Sequence, residues 1–421
     1  VAGPGMPSAV VHRLSGPITL DGMVNEAAWD DVTPLPLYQH GPVVGGPLSE
    51  RTELLLAHDE NYVYMAARNY MRDPFSLSET TYKRDSWSDE DDQIGLILDT
   101  FDDSENAVAF VLYATGARID ASVRNDARTM ASVNVDWNTF WDGSVSRDGE
   151  GWYAELRVPL SSLNFETDAE GRVTMGVLLY RFIARTGEHQ MFPEVPPDWG
   201  FWSFVKPSKG ARVGFDGLER RRPLYVTPYV LGGLSHRYAL NEPETAYDRR
   251  SETQREIGGD VKYGLSSNVT LDLTLNTDFA QVEADNQQVN LTRYSLFFPE
   301  KRQFFLERTG NFSFDFDGSN QLFYSRRIGL RGGDPVPLLG GARINARAGS
   351  TDLGALVMRS RSVAGSPAET FGVIRLKRQV LNANSYFGHI STVRMDSDGM
   401  YNMAVGLDTR INAFGDDYLT V

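Results

Sequence analysis

The sequence contains no cysteine, which excludes disulfide bonds, thiolate zinc sites and a cysteine nucleophile. Its six histidines are scattered, with no two at the spacing of paired metal ligands. A Gly-x-Ser-x-Gly elbow, a phosphate-binding Gly-Lys-Ser/Thr loop and a dinucleotide fingerprint are also missing. The chain therefore has none of the common sequence motifs of an enzyme.

Basic residues are in deficit, with 41 Lys and Arg against 56 Asp and Glu and a formal net charge of −15. Nucleic-acid binding requires basic surfaces that contact phosphates, so we expect no nucleic-acid partner. The sequence also lacks an apolar run of about 18 residues, and no transmembrane helix is predicted. If the chain meets a membrane, it must do so with β-strands.

Tryptophan is absent from the second half of the chain, because all seven tryptophans lie within the first 202 residues. Between the halves, residues 206–210 and 219–223 are rich in Pro, Gly and basic side chains, a composition typical of a domain junction. We therefore predict two domains, residues 1–222 and residues 223–421.

The first half has short apolar segments separated by turn residues. Examples are residues 52–57, 62–67, 93–98, 107–113 and 174–181. Several of them are apolar on both faces, as expected for strands packed between two layers. Only residues 25–29 and 159–163 suggest brief helices. The fold class predicted for the chain is all-β, with an N-terminal β-sandwich.

The second half alternates strictly between apolar and polar residues. In residues 268–276, Val269, Leu271, Leu273 and Leu275 share one face of a strand, and polar side chains share the other. Similar segments of about 10 residues recur up to residue 411. Two arrangements satisfy this pattern, a soluble sandwich and an antiparallel up-and-down barrel in the outer membrane.

Aromatic residues cluster at Tyr294, Phe297, Phe298, Phe304 and Phe305, and such a cluster could form a membrane girdle or an inward plug. The sequence ends at Val421 within a strand-like segment. We expect the barrel to be truncated at its C-terminus.

The segment Leu20-Asp-Gly-Met-Val-Asn-Glu-Ala-Ala-Trp29 resembles the opening of family 9 carbohydrate-binding modules. The residues that carry the resemblance are Asp21, Gly22, Glu26 and Trp29. Asp-Gly favours a tight turn, Glu26 suits the first turn of a short helix, and Trp29 can pin that helix to a sheet. The resemblance implies a carbohydrate-binding sandwich.

Three blocks in the second half resemble an uncharacterised bacterial family, domain of unknown function 5916. They are residues 276–285, residues 297–307 with Phe298, Pro299, Glu300 and Arg302, and residues 324–329 with Arg326 and Arg327. This resemblance implies an outer-membrane barrel that carries a family 9-like module in front. The charged residues of the blocks are expected to pair inside the barrel and hold a plug.

Sugar binding requires exposed aromatic rings beside carboxylates or amides. The candidate stacking residues are Trp87, Trp137, Trp141, Trp199 and Trp202. Core packing is the competing interpretation for each of them, and it is favoured for Trp29, Trp141 and Trp152.

Clustered acidic residues suggest structural Ca²⁺, which is bound by oxygen ligands and which family 9 modules often hold. The candidate ligands are Asp89, Asp91, Asp92, Asp99 and Asp102. Neither loop has EF-hand spacing, and solvated acidic turns are the simpler interpretation.

The sequence therefore predicts a protein of the bacterial outer membrane, with its sandwich in the periplasm or at the cell surface. The expected partners are an oligo- or polysaccharide, outer-membrane lipid and other envelope proteins. A binding protein is favoured over an enzyme, and no catalytic residue is assigned. A glycan-processing hydrolase and a purely structural or assembly subunit stay as alternatives.

Overall fold

The computed structural model describes residues 9–421, except residues 130–131, 169–170, 197–200, 220–221, 241–245, 267, 277–299, 315–320, 332–333, 364–366, 383–384 and 415–416. The described residues are almost entirely β-strand and loop, which confirms the predicted all-β class. None of their helices has the length and apolarity needed to cross a membrane.

The described residues of the first half form thirteen strands. They are β1 (Ala9–Val11), β2 (Tyr38–Gly41), β3 (Thr52–His58), β4 (Tyr62–Tyr70), β5 (Gln93–Asp99), β6 (Ala107–Tyr113), β7 (Arg118–Val123), β8 (Val133–Asn134), β9 (Asp142–Arg147), β10 (Gly151–Pro159), β11 (Val173–Ile183), β12 (Glu188–Phe192) and β13 (Ala211–Phe215). The two brief helices expected from the sequence are single 3₁₀ turns, Ala27–Trp29 and Leu160–Ser162.

These strands form a sandwich of two sheets. One sheet has the order β1-β13-β11-β5-β6-β7-β8, with β12 bridging β11 to β2, and the other has the order β3-β4-β10-β9. Inward side chains of both sheets, among them Leu54, Met65, Leu96 and Leu156, form one buried core. Both faces of β5 are buried, because a second apolar cluster around Ile97 and Tyr180 covers its other side. The predicted sandwich is therefore present.

Eleven strands are formed by the part of the second half that the structure describes. They are β14 (Leu224–Leu240), β15 (Tyr247–Ser266), β16 (Val269–Leu275), β17 (Leu330–Arg331), β18 (Asp334–Pro335), β19 (Leu338–Ala348), β20 (Thr351–Ser360), β21 (Glu369–Gln379), β22 (Tyr386–Asp396), β23 (Tyr401–Phe414) and β24 (Asp417–Thr420). One short helix, α1 (Gln303–Leu306), lies between β16 and β17.

Nine of these strands form one antiparallel sheet in the order β14-β15-β16-β19-β20-β21-β22-β23-β24, which we call the meander sheet. Its hairpin connections match the predicted up-and-down pattern. The meander sheet is open within the described part of the chain, where β14 and β24 form its two edges. The change from the sandwich to the meander sheet falls between Phe215 and Leu224.

Candidate functional site

The two faces of the meander sheet have the reverse of the polarity expected for a soluble protein. Its buried face carries charged side chains, each less than a tenth exposed. They are Asp272, Arg343, Arg347, Asp352, Arg375, Lys377 and Arg410. Its other face, here called the apolar face, carries large hydrophobic side chains that are exposed at the protein surface. On β16 the two classes alternate directly, since Asp272 is 7% exposed and Leu273 is 40% exposed.

The apolar face extends over all the long strands of the meander sheet. Its members include Val226, Val230, Ile257, Leu275, Val357, Ile374, Phe387, Met403, Val405 and Leu407. Cross-strand register places apolar side chains side by side on this face, as Ile374 lies opposite Ala355 of β20 and Met403 lies opposite Val393 of β22. A shallow cavity of about 480 Å³, lined almost wholly by apolar atoms, lies between β19 and β23 on this face. Surfaces of this extent mark an interaction with a partner or a membrane.

The charges on the buried face are paired between strands, and Arg375 of β21 reaches across β22 to Asp408 of β23. A carboxylate oxygen of Asp272 lies 2.9 Å from Nη2 of Arg343, and both oxygens of Asp408 accept hydrogen bonds from Arg375. Pairing is required here, because an isolated buried charge costs several kcal/mol. These four residues lie outside the three sequence blocks, so the pairing predicted for the charged residues of the blocks stays a prediction.

An interior segment, residues 300–314, lies against the buried face. Phe304, Phe305, Phe312 and Phe314 are buried in one cluster with Leu356, Met358, Val373 and Ile390 of the sheet. Of the aromatic residues proposed as a girdle or plug, Phe304 and Phe305 therefore point inward. Tyr294, Phe297 and Phe298 lie outside the described residues.

Two of the sequence blocks meet at the start of this segment. Arg302 donates to both oxygens of the Glu300 carboxylate and to the backbone carbonyls of Ser325 and Ile328. The helical turn at residues 325–327 contains Arg326 and Arg327, which are not among its buried residues. Pro299 and Phe298 precede the described residues of the segment. The buried Glu300–Arg302 pair thus holds the two blocks together.

The sandwich contacts the buried face through the loop between β5 and β6, residues 100–106. Nη1 of Arg347 lies 3.0 Å from Oδ2 of Asp103, while Glu105 accepts from Nζ of Lys377 at 2.8 Å and from Nη1 of Arg410 at 2.6 Å. Burial alone would raise the pKa of Glu105, but the two cations outweigh it and hold the pKa below its usual value. This ionic contact joins residues up to 305 positions apart.

Two of the predicted calcium ligands lie here, Asp99 at the end of β5 and Asp102 in the loop itself. The Asp99 carboxylate accepts hydrogen bonds from the backbone N–H groups of Phe101, Asp103 and Ser104, and therefore shapes the loop. Burial, reinforced by the Asp103 charge, raises the pKa of Asp99 well above its usual range. Asp102 pairs with Arg212 at 2.7 Å. Because the oxygens of both carboxylates already bind protein donors, this arrangement does not favour a metal ion.

The carboxylates of the other three calcium candidates also accept hydrogen bonds from protein groups. Asp91 accepts from Thr80, Thr81 and Ser88. Asp92 accepts from the N–H of Ala184, and Asp89 accepts from Nε1 of Trp87. Among the described residues, the acidic side chains that converge within 4.8 Å of one another are instead Asp21, Glu26 and Glu155. Calcium binding stays a prediction, and the five proposed ligands do not form one site.

The Asp-Gly motif is organised by Glu155 of β10, which is fully buried. Its carboxylate accepts from the N–H groups of Asp21 and Gly22 and, at 3.0 Å, from Nε1 of Trp29. Glu26 accepts from the N–H of Thr19 on the same loop. The motif therefore holds the N-terminal segment against β10 of the sandwich, and Trp29 is a packing residue.

We expect Gly22→Ala to destabilise the sandwich strongly. Gly22 has φ +83°, and an added Cβ would lie 2.7 Å from the carbonyl carbon of Val145. Left-handed strain and overpacking together should lower the free energy of unfolding by about 2–4 kcal/mol. Denaturant unfolding followed by tryptophan fluorescence measures this change. Gly149→Ala is the matched control, since its Cβ meets nothing within 4 Å. Equal effects of the two substitutions would contradict the prediction.

Glu155 should give the sandwich a specific pH dependence. Burial, with the nearby charges of Glu26 and Asp21, raises the pKa of Glu155 to about 6 from an ordinary value of 4.5. The folded state therefore holds a proton that the unfolded state has released. The free energy of unfolding should fall by about 1–2 kcal/mol as the pH rises from about 4.5 to about 6. Glu155→Gln lacks the titrating group, so its unfolding, measured across the same window, should show a smaller slope. Identical slopes would refute this assignment.

Two of the five proposed sugar-stacking residues are core residues. Trp137 and Trp141 are each 4% exposed and pack around Phe110 in the sandwich core. Neither presents a ring face to solvent, so the stacking prediction is corrected at these positions. Their place in a loop rich in Asp and Asn suggested exposure, but the apolar interior takes both rings. The nearby Phe140 is exposed instead and stacks on Tyr225.

Trp87 is the described candidate that keeps part of its ring at the surface. It stacks on Phe204 with ring centroids 5.8 Å apart, and its indole N–H donates to the exposed Asp89. Phe204 belongs to the turn Phe201–Val205, which contains Trp202. Trp199 and the side chain of Trp202 lie outside the described residues. Chain segments around positions 87 and 204 are thus adjacent, although the sequence separates them widely.

Comparison with known proteins gives one family match and a structural likeness. Residues 222–403 match the family described as Domain of unknown function (DUF5916). This match agrees with the resemblance read from the three sequence blocks. No curated protein sequence matches the chain.

Two solved structures are similar to half of the chain. One is a family 9 carbohydrate-binding module from Caldicellulosiruptor kristjanssonii in complex with cellotriose, with 15% identity and a TM-score of 0.35, covering 50% of this chain and 94% of that one. The other is a putative carbohydrate-binding protein from Bacteroides uniformis, with 13% identity and a TM-score of 0.39, covering 49% of this chain and 98% of that one.

Sequence reasoning missed three important residues, Glu105, Glu155 and Arg410. The signal for Glu155 was weak, because it shares its face of β10 with Tyr153 and Arg157, and only the apolar neighbours Ala154 and Leu156 suggested burial. Such a residue needs internal partners. Glu105 and Arg410 had no local signal, since each is explained only by a residue of the other half.

Proposed function

We propose that this protein is a carbohydrate-binding protein associated with the bacterial outer membrane. In this proposal the meander sheet is the wall of a membrane barrel, and the sandwich docked to it binds a glycan. The observation that carries the membrane part is the reversed polarity of the meander sheet, with charged residues buried and apolar residues outside.

The hydrocarbon of a bilayer is the occupant that best fits the apolar face. Leu275, Val357, Ile374, Val405 and Leu407 are between 47% and 68% exposed, a pattern that water does not stabilise. Strands β19 to β22 have 10 or 11 residues each, which is the length that a tilted strand needs to cross a bilayer. Pairing between strands satisfies the backbone of the strands that lie between the two edges of the sheet, as a lipid environment requires.

The glycan part of the proposal is supported by the surroundings of Trp87. A partly exposed indole ring supplies an apolar face for a pyranose, while Asp89 and Glu90 beside it are exposed carboxylates that can accept from sugar hydroxyls. Phe204 holds the ring from behind through stacking. A pre-positioned ring loses little conformational entropy when it binds a ligand.

Flotation with lipid vesicles tests the membrane part. The full chain, refolded from denaturant in the presence of phospholipid vesicles, should float with the lipid in a density gradient and resist extraction at high salt. Flotation that disappears at high salt would indicate attachment by charge alone and would overturn the proposal. A monodisperse, water-soluble oligomer without detergent would show that copies of the chain cover the apolar face instead.

A glycan array followed by calorimetry tests the sugar part, with the full chain in detergent. Trp87→Ala should weaken binding by about tenfold or more, because the loss of one stacking platform removes more than about 1.4 kcal/mol. Phe75→Ala is the matched control, since Phe75 is a fully exposed aromatic residue outside the Trp87 cluster. Wild-type protein that binds no glycan on the array would favour the structural or assembly role.

A further inference from the structure

The sandwich contacts only one end of the meander sheet through the hydrogen bonds described above. The contacts of residues 100–106 reach Arg347 at the end of β19, Lys377 near the end of β21 and Arg410. At the same end, Tyr225 at the start of β14 donates to Ser161, and Asn268 before β16 contacts Glu166. These contacts define the docked end of the sheet.

Connections between strands are short at the docked end. Two residues separate β15 from β16, β19 from β20 and β23 from β24, and six separate β21 from β22. The opposite end has the longest connections, with 62 residues between β16 and β19 and eight between β20 and β21, beside six between β14 and β15 and four between β22 and β23. Residues 300–314 of the long connection fold back along the buried face to the sandwich.

Outer-membrane barrels have short turns on the periplasmic side and longer loops on the extracellular side. From the two asymmetries together, we infer that the sandwich is seated at the periplasmic mouth of the membrane sheet and takes a periplasmic glycan, one that does not have to reach it from the cell exterior. This inference rests on the proposed membrane function. It selects one of two sides that the sequence left open.

The docked geometry supports a stable seat at this mouth. Leu306 of the interior segment is fully buried in the sandwich core, and Glu307 bridges Asn164 of the sandwich to Lys262 of the sheet. The sandwich therefore contacts both the wall and the interior segment. A domain held in this way stays at its end of the sheet when the sheet is inserted.

Single cysteines test the orientation, because the chain has none of its own. Gly149→Cys places a thiol on the exposed β9–β10 turn of the sandwich, and Asp398→Cys places one on the exposed β22–β23 turn at the opposite end. Both variants are directed to the outer membrane of a bacterial host by an added signal sequence. Intact cells are then treated with a membrane-impermeant maleimide, before and after permeabilisation of the outer membrane.

We expect Cys at position 398 to be labelled in intact cells, and Cys at position 149 to be labelled only after permeabilisation. Labelling of position 149 in intact cells, with or without position 398, would overturn the inference, as would protection of both positions until permeabilisation. Fractionation of the same cells separates this result from a failure of the proposed function. Wild-type protein in the soluble periplasmic fraction would refute membrane insertion itself.

Discussion

Glu105→Gln is expected to weaken the docking of the sandwich on the meander sheet. Glu105 is the shared partner of Lys377 and Arg410, and all three side chains are less than a tenth exposed. The substitution keeps the shape of the side chain but leaves two buried cations without their counter-charge. Breaking a buried pair in this way costs about 3–5 kcal/mol.

Thermal unfolding in detergent, followed by tryptophan fluorescence, measures this effect because all seven tryptophans lie in the first half of the chain. The variant should unfold its sandwich at a lower temperature than the wild type. Glu60→Gln is the control, since Glu60 forms an exposed pair with Arg13 whose loss should change stability by less than about 1 kcal/mol. Equal shifts in the two variants would show that the ionic contact does not hold the domains together.

Val405→Arg is expected to prevent stable insertion of the sheet into lipid. Val405 is 65% exposed on β23 opposite Ser391, the middle residue of β22, and Met403 and Leu407 share its face of the sheet. An arginine facing the middle of a bilayer costs about 2–4 kcal/mol. The same substitution on a water-exposed strand would change stability by only about 0.5 kcal/mol.

The measurement is the fraction of protein that floats with phospholipid vesicles over a series of urea concentrations. Asp398→Arg is the matched control, because this exposed residue lies in the turn of the same β22–β23 hairpin. Val405→Arg should lower the urea midpoint, while the control should leave it unchanged. If both variants insert like the wild type, the apolar face does not contact hydrocarbon.

The period of the sequence predicted the meander sheet well. Side chains alternate across a strand by covalent geometry, so residues 268–276 alone sorted Asp272 and Leu273 onto opposite faces. The packing of other segments decides which of the two faces is buried. The alternation of apolar and polar residues along the strand does not contain that information. The interior segment and the sandwich loop cover the charged face, so the polarity became clear only with the packing.

Local motifs were predicted where their cause is local. The Asp21-Gly22 turn needs a glycine at positive φ, and the sequence shows that glycine. Trp137 and Trp141 were harder, because a tryptophan in a polar loop can turn its ring either way and the core around Phe110 decides. Ion pairs between the halves could not be predicted, since 56 acids and 41 basic residues allow too many combinations.

Leu306 makes the two halves interdependent in a way that their sequence boundary hides. The side chain comes from the second half, yet it is fully buried in the core of the first. Cutting the chain after residue 222 would leave a cavity where this leucine packs, at a cost of about 2–5 kcal/mol by analogy with leucine truncation. The N-terminal half therefore contains all the strands of the sandwich, but its hydrophobic core lacks one side chain. Synthesis of the chain supplies that side chain only after residue 300.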